Sequence, residues 1–230
     1  MQTYRTFVLM ALATFIIHVD GWAHRPVGIG GDIGKDLEHA VEVEDITVSQ
    51  VVYRKISSDL PQVWMTFDGR AGDSLDVQLG IPEIERLETY RPAIAVIGPG
   101  LPEVTVPFEF PDGLGGQIFE SDTQHPERFY ESFSDTHSWI LGNLPLTLPE
   151  DGPYYVVAYH PENIEGKLWV ALGKREVFGA ADVANLPEWL KAVREFHEVE
   201  GQAPLVNNAY LVLLGVLATI GFATWWIIRK

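Results

Sequence analysis

Histidine and carboxylate side chains are most concentrated between His125 and His137. Glu127 and Glu131 lie near these two histidines in the sequence, and neutral imidazole together with carboxylate suits zinc, copper or nickel. The sequence therefore predicts His125 and His137 as candidate metal ligands. Solvated loop residues produce the same pattern, so a stretch that binds no metal remains the alternative.

A third candidate metal ligand, His24, depends on where the mature chain begins. The apolar stretch from Phe7 to Ile17 follows Arg5 and has the length of a secretory signal core, and Ala23 offers a small residue for cleavage. Cleavage there gives His24 a free amine beside its imidazole, a pair that can chelate copper together with a second histidine. The choices for that second ligand are His39, His125, His137 and His160. An uncleaved N-terminal anchor is the alternative.

Motifs for other chemistry do not occur. The chain has no cysteine, which excludes thiolate catalysis, cysteine zinc sites and stabilising disulfides. Neither a Gly-x-Ser-x-Gly nucleophile elbow nor a His-Glu-x-x-His metal motif is present. We therefore predict a protein that is not an enzyme. No cofactor is firmly implied, and copper or another divalent cation is the one that the histidines allow.

A membrane position is predicted by the run Ala209–Ile228, twenty residues without a charge. At about 1.5 Å per residue it matches a hydrocarbon core of roughly 30 Å, and Arg229 with Lys230 forms a positive cytoplasmic flank. We expect a single-pass protein of the cell membrane, with an extracytoplasmic N-terminal domain and a cytoplasmic C-terminus. The predicted parts are a signal peptide (1–23), an acidic glycine-rich segment (24–45), a β-sandwich (46–177), a juxtamembrane helical segment (178–203) and a transmembrane helix with a short basic tail (204–230).

The chain is strongly acidic, with 32 Asp and Glu against 16 Lys and Arg and a formal net charge of −16. Almost all of these charged residues lie between the two apolar ends, because only Asp20, Arg5, Arg229 and Lys230 fall outside. Nucleic acid and anionic lipid are therefore poor partners. Cations, basic proteins and simple solubility are compatible with the charge. Residues 24–45 are expected to form a solvated linker or edge.

From Ile46 onward, short β-prone runs alternate with Gly, Pro and Asp, which is typical of a sandwich. Leu75, Val77 and Leu79 alternate with polar residues, as in a strand with one buried face. The predicted strands are Ile46–Ile56, Gln62–Phe67, Ser74–Leu79, Ala93–Ile97, Val104–Phe110, Arg128–Phe133, Ser138–Leu141, Leu144–Leu148, Tyr154–Tyr159 and Lys167–Leu172. The fold class is thus mainly β, an antiparallel jelly-roll-like sandwich.

Three stretches resemble the strand and turn pattern of pre-peptidase C-terminal domains and of the related emp24-like (GOLD) sandwiches. They are Phe67-x-Gly69-x-Ala71-Gly72-Asp73-x-Leu75-x-Val77, Gly152-Pro153-Tyr154-Tyr155-Val156-Val157 and Gly166-Lys167-Leu168-Trp169-Val170-Ala171-Leu172-Gly173. The resemblance implies an extracytoplasmic sandwich used for binding, targeting or chaperoning. The chain departs from the emp24-like proteins because it has no cysteine pair and no long coiled coil.

A helix is predicted from Pro187 to Val199, with Leu190, Val193 and Phe196 on one stripe that packs against the sandwich. The function predicted is that of a non-catalytic binding module or an accessory subunit of a membrane complex, with an unknown protein partner. The loops Pro111–Gln117 and Gln124–Thr136 are the expected contact regions. A metal-binding protein that uses His24 is the alternative.

Overall fold

A computed structural model describes residues 24–121, 126–177 and 180–201. The predicted signal peptide and the predicted span Ala209–Ile228 lie outside these residues. Within the described ranges, no helix is both long and apolar enough to cross a membrane.

The described chain contains eleven strands, β1 to β11, and one α-helix, α1. In order they are Arg25–Ile29, Val41–Glu42, Gln50–Ile56, Gln62–Gly69, Ser74–Pro82, Ala93–Gly98, Gly115–Glu120, Glu127–Glu131, Thr136–Thr147, Gly152–Tyr159 and Gly166–Leu172, followed by α1, Ala180–Phe196. A short 3₁₀ turn at Glu85–Leu87 connects β5 to β6. The prediction of a mainly β protein is confirmed.

The strands form two facing sheets. One sheet has six strands in the order β1-β3-β11-β5-β9-β8, and the other has five in the order β2-β4-β10-β6-β7. The expectation of a purely antiparallel sandwich is wrong, because β1 runs parallel to β3 and β2 runs parallel to β4. Both parallel strands come from residues 24–45, which were expected to form a solvated linker or edge, and each lies at the edge of its sheet.

The main core fills the space between the two sheets. Alternate residues of the strands point into it, including Leu75, Val77 and Leu79 of β5 as the period-two pattern predicts. Met65 of β4 and Val156 of β10 meet them from the opposite sheet. All five side chains are almost fully buried, so burial of apolar surface is the main stabilising term for this cysteine-free domain.

The outer face of the six-stranded sheet is covered by α1. Val193 and Phe196 of the helix pack against Val51, Tyr53 and Trp169 of the sheet, which confirms that the helix lies on the sandwich. Its predicted start was wrong, since Pro187 lies inside the helix and not in its first turn. The Ala-rich sequence before Pro187 favours helix, so the helix extends through Pro187 although proline donates no backbone hydrogen bond there.

The outer face of the five-stranded sheet is covered by a segment without regular structure, residues 99–114. The strand predicted at Val104–Phe110 is wrong: these residues belong to no strand, although their side chains do alternate between partly buried and exposed. The strand that does follow, β7, was not predicted. Conversely, the two strands predicted at Ser138–Leu141 and Leu144–Leu148 are largely one continuous strand, β9.

Candidate functional site

A groove of about 1300 Å³ opens on the outer face of the five-stranded sheet. One wall is the turn at residues 36–38, the other is formed by residues 103–114, and the start of β4 lies between them. Leu37, Val104, Phe108, Phe110 and Leu114 contribute apolar surface. The groove is therefore built from two segments that are far apart in the sequence and one strand that holds them together.

Aromatic packing fixes the floor of the groove. Trp64 of β4 is 2% exposed, and its indole N–H donates to the side-chain carbonyl of Gln62 at 3.1 Å. The ring of Phe108 meets Trp64 edge-on at 5.2 Å and meets Tyr159 of β10 in the same way at 5.2 Å. Such edge-to-face pairs stabilise beyond their buried area, so Phe108 anchors the irregular segment to the sheet.

Hydrogen bonds to Gly34 hold the opposite wall in place. The backbone N–H of Trp64 donates to the Gly34 carbonyl at 2.8 Å, and the backbone N–H of Gly34 donates to the His39 carbonyl at 2.7 Å. Gly34 has a φ of 71°, and a Cβ there would lie 2.9 Å from the Trp64 carbonyl oxygen. A glycine is thus required to bring the turn at 36–38 against β4.

Carboxylates surround the groove. Its ionisable lining residues are Asp36, Glu38, Glu103, Glu109 and Asp112, and no Lys or Arg is among the residues that line it. Asp36 is 2.6 Å from the Nδ1 atom of His39, and this hydrogen bond is the main cause that lowers the pKa of the Asp36 carboxyl. The groove consequently presents a negative surface to any ligand.

His24, the predicted N-terminal ligand, lies on the outer face of the other sheet. Its Nδ1 atom is 2.6 Å from the Ser49 hydroxyl and its Nε2 atom is 3.3 Å from the side-chain carbonyl of Gln78. Burial lowers the pKa of His24, so the ring is neutral, with Nε2 donating to Gln78 and Nδ1 accepting from Ser49. A metal on the imidazole would have to replace one of these hydrogen bonds.

His24 also borders a cavity of about 260 Å³. Gln78, Asn143, Asp76 and Lys174 supply its polar side chains. These groups satisfy one another, because Gln78 donates to Asn143 at 2.7 Å and Lys174 pairs with Asp76 at 2.6 Å. No second histidine lines this cavity, so the described residues do not complete a two-histidine site there.

The other predicted ligands do not join His24. His137 is exposed, and its ring packs against Tyr130 of the neighbouring strand with the centroids 4.8 Å apart and the planes tilted by 33°. No residue contacts both His24 and His137 in the described structure. His125 lies outside the described residues. Glu127 is exposed, whereas burial raises the pKa of Glu131 to about 7. The His and Glu side chains between His125 and His137 therefore do not come together in one site among the described residues.

The remaining choices for a second ligand are occupied elsewhere. His39 pairs with Asp36 at the groove, and His160 accepts a hydrogen bond from the Glu162 N–H at 3.1 Å while its ring packs on Tyr90. In the described part of the chain, no group of three or more His, Cys, Asp or Glu is arranged to hold a metal ion. Metal binding by His24, His125 and His137 stays a prediction.

Sequence reasoning identified one part of the groove and missed the rest. The predicted contact loop Pro111–Gln117 includes groove-lining residues, but Leu37, Trp64 and Phe108 were not singled out. The alternation of acidic or polar residues with Val and Phe between Glu103 and Phe110 is the signal that was present, since it predicts one buried row and one exposed row.

Comparisons with known proteins add little to this description. No protein-family model matches the chain, and no curated protein matches it. Among solved structures, the pre-peptidase C-terminal domain of a Bacillus anthracis collagenase is 10% identical, with a TM-score of 0.30 over 57% of this chain and 91% of that one. CorA, a surface-associated copper-binding protein of Methylomicrobium album BG8, is 11% identical, with a TM-score of 0.31 over 59% of this chain and 98% of that one.

With TM-scores and identities this low, neither likeness assigns a family or a function to this chain. The β-sandwich expected from the sequence resemblance is observed. Membership of the pre-peptidase C-terminal or emp24-like families stays a prediction.

Proposed function

We propose that this protein is a non-catalytic binding module, tethered to the outer side of the cell membrane by Ala209–Ile228, that acts as an accessory subunit for a protein partner. The observation that supports this most is the groove between residues 36–38 and 103–114, which combines an aromatic floor with an acidic rim. Concave apolar surfaces with a few polar groups are the usual form of a binding site.

The chemistry of the groove favours binding over catalysis. Its ionisable side chains are all carboxylates, and the described residues that line it include no Ser, Thr, Cys, His or Lys that could act as a nucleophile with an adjacent base. A single type of charge arranged around an aromatic floor is suited to recognition of an oppositely charged surface.

The arrangement of the sandwich also supports a tethered module. Helix α1, which leads toward the predicted span, packs on the outer face of the six-stranded sheet. The groove opens on the outer face of the five-stranded sheet. Because these are opposite faces, the groove and the last described helix do not compete for the same surface.

The experiment compares the full-length protein with two variants, each extracted in mild detergent and pulled down, with co-purifying proteins quantified by mass spectrometry. Leu37→Trp places a large ring at the groove, where Leu37 is 37% exposed. Ile164→Trp adds the same ring at a site that is 48% exposed and does not line the groove.

We expect one partner at near-equal amount with the unaltered protein and with Ile164→Trp, and loss of that partner with Leu37→Trp. A partner that all three proteins retain would assign the interaction to another surface. Recovery of the unaltered protein without any stoichiometric partner would contradict the accessory-subunit function.

A further inference from the structure

The part of the groove wall at residues 103–110 has the alternating burial of a strand, but it lacks the strand's hydrogen bonds and bends at Pro107 and Phe108. Val104, Val106, Phe108 and Phe110 are partly buried and pack on the outer face of the five-stranded sheet. The intervening residues Glu103, Thr105, Pro107 and Glu109 are exposed. One row of side chains thus fixes the segment to the protein, and the other row faces solvent.

The backbone of this wall is unpaired in the described structure. The last backbone hydrogen bond before it joins the Gly116 N–H to the Pro102 carbonyl at 2.7 Å, and from Glu103 to Asp112 no N–H or carbonyl bonds to another described residue. Pro107 has no N–H to donate. The other groups have no partner among the described residues, and an extended chain laid beside them can pair with them by adding as a further strand.

The carboxylates of the groove indicate which charge an added strand must carry. Glu103, Glu109 and Asp112 lie on the wall itself, and Asp36 with Glu38 lies on the opposite side. Exposed ion pairs are individually weak, but an array of one sign accelerates encounter and rejects partners of the same sign. The complement is a segment with several cationic side chains.

The apolar surface between the carboxylates completes the fit. Leu37 is exposed at one side of the groove and Phe108 is only partly buried at its floor. In an extended segment, alternate side chains point in opposite directions. A segment in which Lys or Arg alternates with small or apolar residues therefore places one row on the carboxylates and the other on the apolar floor.

We infer that the groove binds an extended, Lys- or Arg-rich segment of the partner protein, which pairs with the unpaired backbone of residues 103–110 and meets the carboxylates around it. This inference rests on the proposed function and specifies the partner's binding segment. A helical partner would leave the wall's backbone groups unpaired, and an anionic membrane surface would be repelled by the rim.

The first test measures binding of a fluorescein-labelled peptide in which Lys alternates with Thr, by fluorescence anisotropy, to the full-length protein in a non-ionic detergent. A matched peptide in which Gln alternates with Thr tests whether charge is needed. N-methylation of every backbone nitrogen in the Lys peptide tests the extended pairing, since it retains the charge of the Lys side chains but removes every backbone hydrogen-bond donor.

Two triple variants separate the rim from the general acidity of the protein. Glu103→Gln, Glu109→Gln and Asp112→Asn neutralise the wall. Asp59→Asn, Glu88→Gln and Glu127→Gln remove the same charge at exposed positions that do not line the groove. All six substitutions preserve side-chain size at exposed sites, so the fold is retained in both variants.

We expect saturable binding of the Lys peptide that weakens with added salt, is reduced about tenfold or more by the rim substitutions and is unchanged by the control substitutions. The Gln peptide and the N-methylated peptide should bind at least about tenfold more weakly than the Lys peptide. Equal weakening by both triple variants, or no saturable binding of the Lys peptide, would overturn the inference. So would competition by calcium chloride but not by sodium chloride of equal ionic strength, because it would assign the carboxylates to a cation.

The same variants distinguish this inference from the proposed function. If the partner recovered by pull-down is lost with Leu37→Trp but retained with the rim triple variant, the groove is the binding site and recognition of a basic segment is wrong. If the partner is retained with both, the groove itself is not the site.

Discussion

His197 and Ser138 are joined by a hydrogen bond of 3.0 Å that links the end of α1 to the six-stranded sheet. The Nδ1 atom of His197 is 2.8 Å from the Val193 carbonyl, which can only accept, so Nδ1 carries the proton and Nε2 accepts from the Ser138 hydroxyl. That hydroxyl in turn accepts from the indole N–H of Trp169 at 3.1 Å. With a neutral His197 ring, every donor and acceptor in this series of hydrogen bonds therefore has a partner.

Protonation of His197 should weaken the attachment of α1. Burial is the main cause that lowers the pKa of His197 to about 4, with smaller contributions from Lys167 and His137. Because the folded pKa lies below the value of about 6.5 in an unfolded chain, this residue stabilises the fold above pH 6.5 and its contribution is lost as pH falls from 6.5 to 4. The loss amounts to at most about 3 kcal/mol.

The variant His197→Gln removes this titration. We expect the free energy of unfolding in urea, followed by tryptophan fluorescence of the full-length protein, to fall less steeply between pH 6.5 and pH 4 than in the unaltered protein. At pH 7 the variant should be less stable by about 1 to 2 kcal/mol, because the hydroxyl and the carbonyl lose well-placed partners. Parallel pH profiles for the two proteins would contradict this role of His197.

Glu131 should act in the opposite direction. Burial raises the pKa of its carboxyl to about 7, so the folded protein takes up a proton more readily than the unfolded chain and stability increases as pH falls from 7 to about 4.5. Glu131→Gln should therefore stabilise the protein at pH 8 by on the order of 1 kcal/mol and have little effect at pH 5.

Glutamine at position 131 retains an oxygen that can accept the Phe133 N–H, which Glu131 accepts at 3.0 Å. Thermal unfolding at the two pH values measures the difference. A stability gain of the same size at pH 5 and pH 8 would show that the ionised carboxylate is not its cause.

Gly80 and Trp169 are closely packed across neighbouring strands, and Gly80→Ala should destabilise the protein. A Cβ at Gly80 would overlap the indole ring of Trp169, which is 3% exposed and cannot move without breaking its bond to Ser138. Overpacking of this kind costs about 1 to 3 kcal/mol. Gly142→Ala is the matched control in the same sheet, because its Cβ would meet nothing nearer than 3.5 Å.

We expect a lower midpoint of urea unfolding for Gly80→Ala and an unchanged or slightly higher one for Gly142→Ala, since alanine reduces the freedom of the unfolded chain. Equal effects of the two substitutions would mean that loss of glycine, and not contact with Trp169, determines the result.

The sequence predicted those elements whose side chains are patterned by burial. Leu75, Val77 and Leu79 indicate both a strand and its buried face, and the stripe through Leu190 and Val193 indicates a helix and its packing surface. Period-two alternation shows which side chains face inward but not whether the backbone has a neighbour. For this reason Val104–Phe110 was predicted as a strand although it has no partner.

The candidate site was harder to predict from the sequence, because its two walls are far apart in the chain and lie close together only in the folded protein. Leu37 and Phe108 are separated by most of the first half of the sandwich, and the groove exists because Gly34 and Trp64 bring the first wall to β4. Local density of His and Glu favoured the stretch from His125 to His137 instead. That density reflects adjacency in the chain, whereas the pleat of β8 and β9 separates neighbouring side chains onto opposite faces.

Phe108 should be the residue that holds the groove wall in place. Between Glu103 and Asp112 the wall has no backbone hydrogen bond to described residues, so its attachment depends on side chains, of which Phe108 packs between Trp64 and Tyr159. Phe108→Ala removes this ring, and we expect the wall to detach while the sheets remain folded. Cleavage by a glutamate-specific protease at Glu103 and Glu109 should then be at least about tenfold faster, because proteolysis follows local opening.

Thr105→Ala is the control, since the Thr105 side chain is exposed on the same wall and does not pack on the sheet. It should leave the cleavage rate unchanged, and the far-ultraviolet circular dichroism of both variants should match that of the unaltered protein. If Phe108→Ala is cleaved no faster than Thr105→Ala, the wall is held by its other apolar side chains. If cleavage accelerates and the Lys peptide also binds more weakly, the ordered wall is part of the binding surface, because a partner strand must then restore the order that Phe108 normally provides.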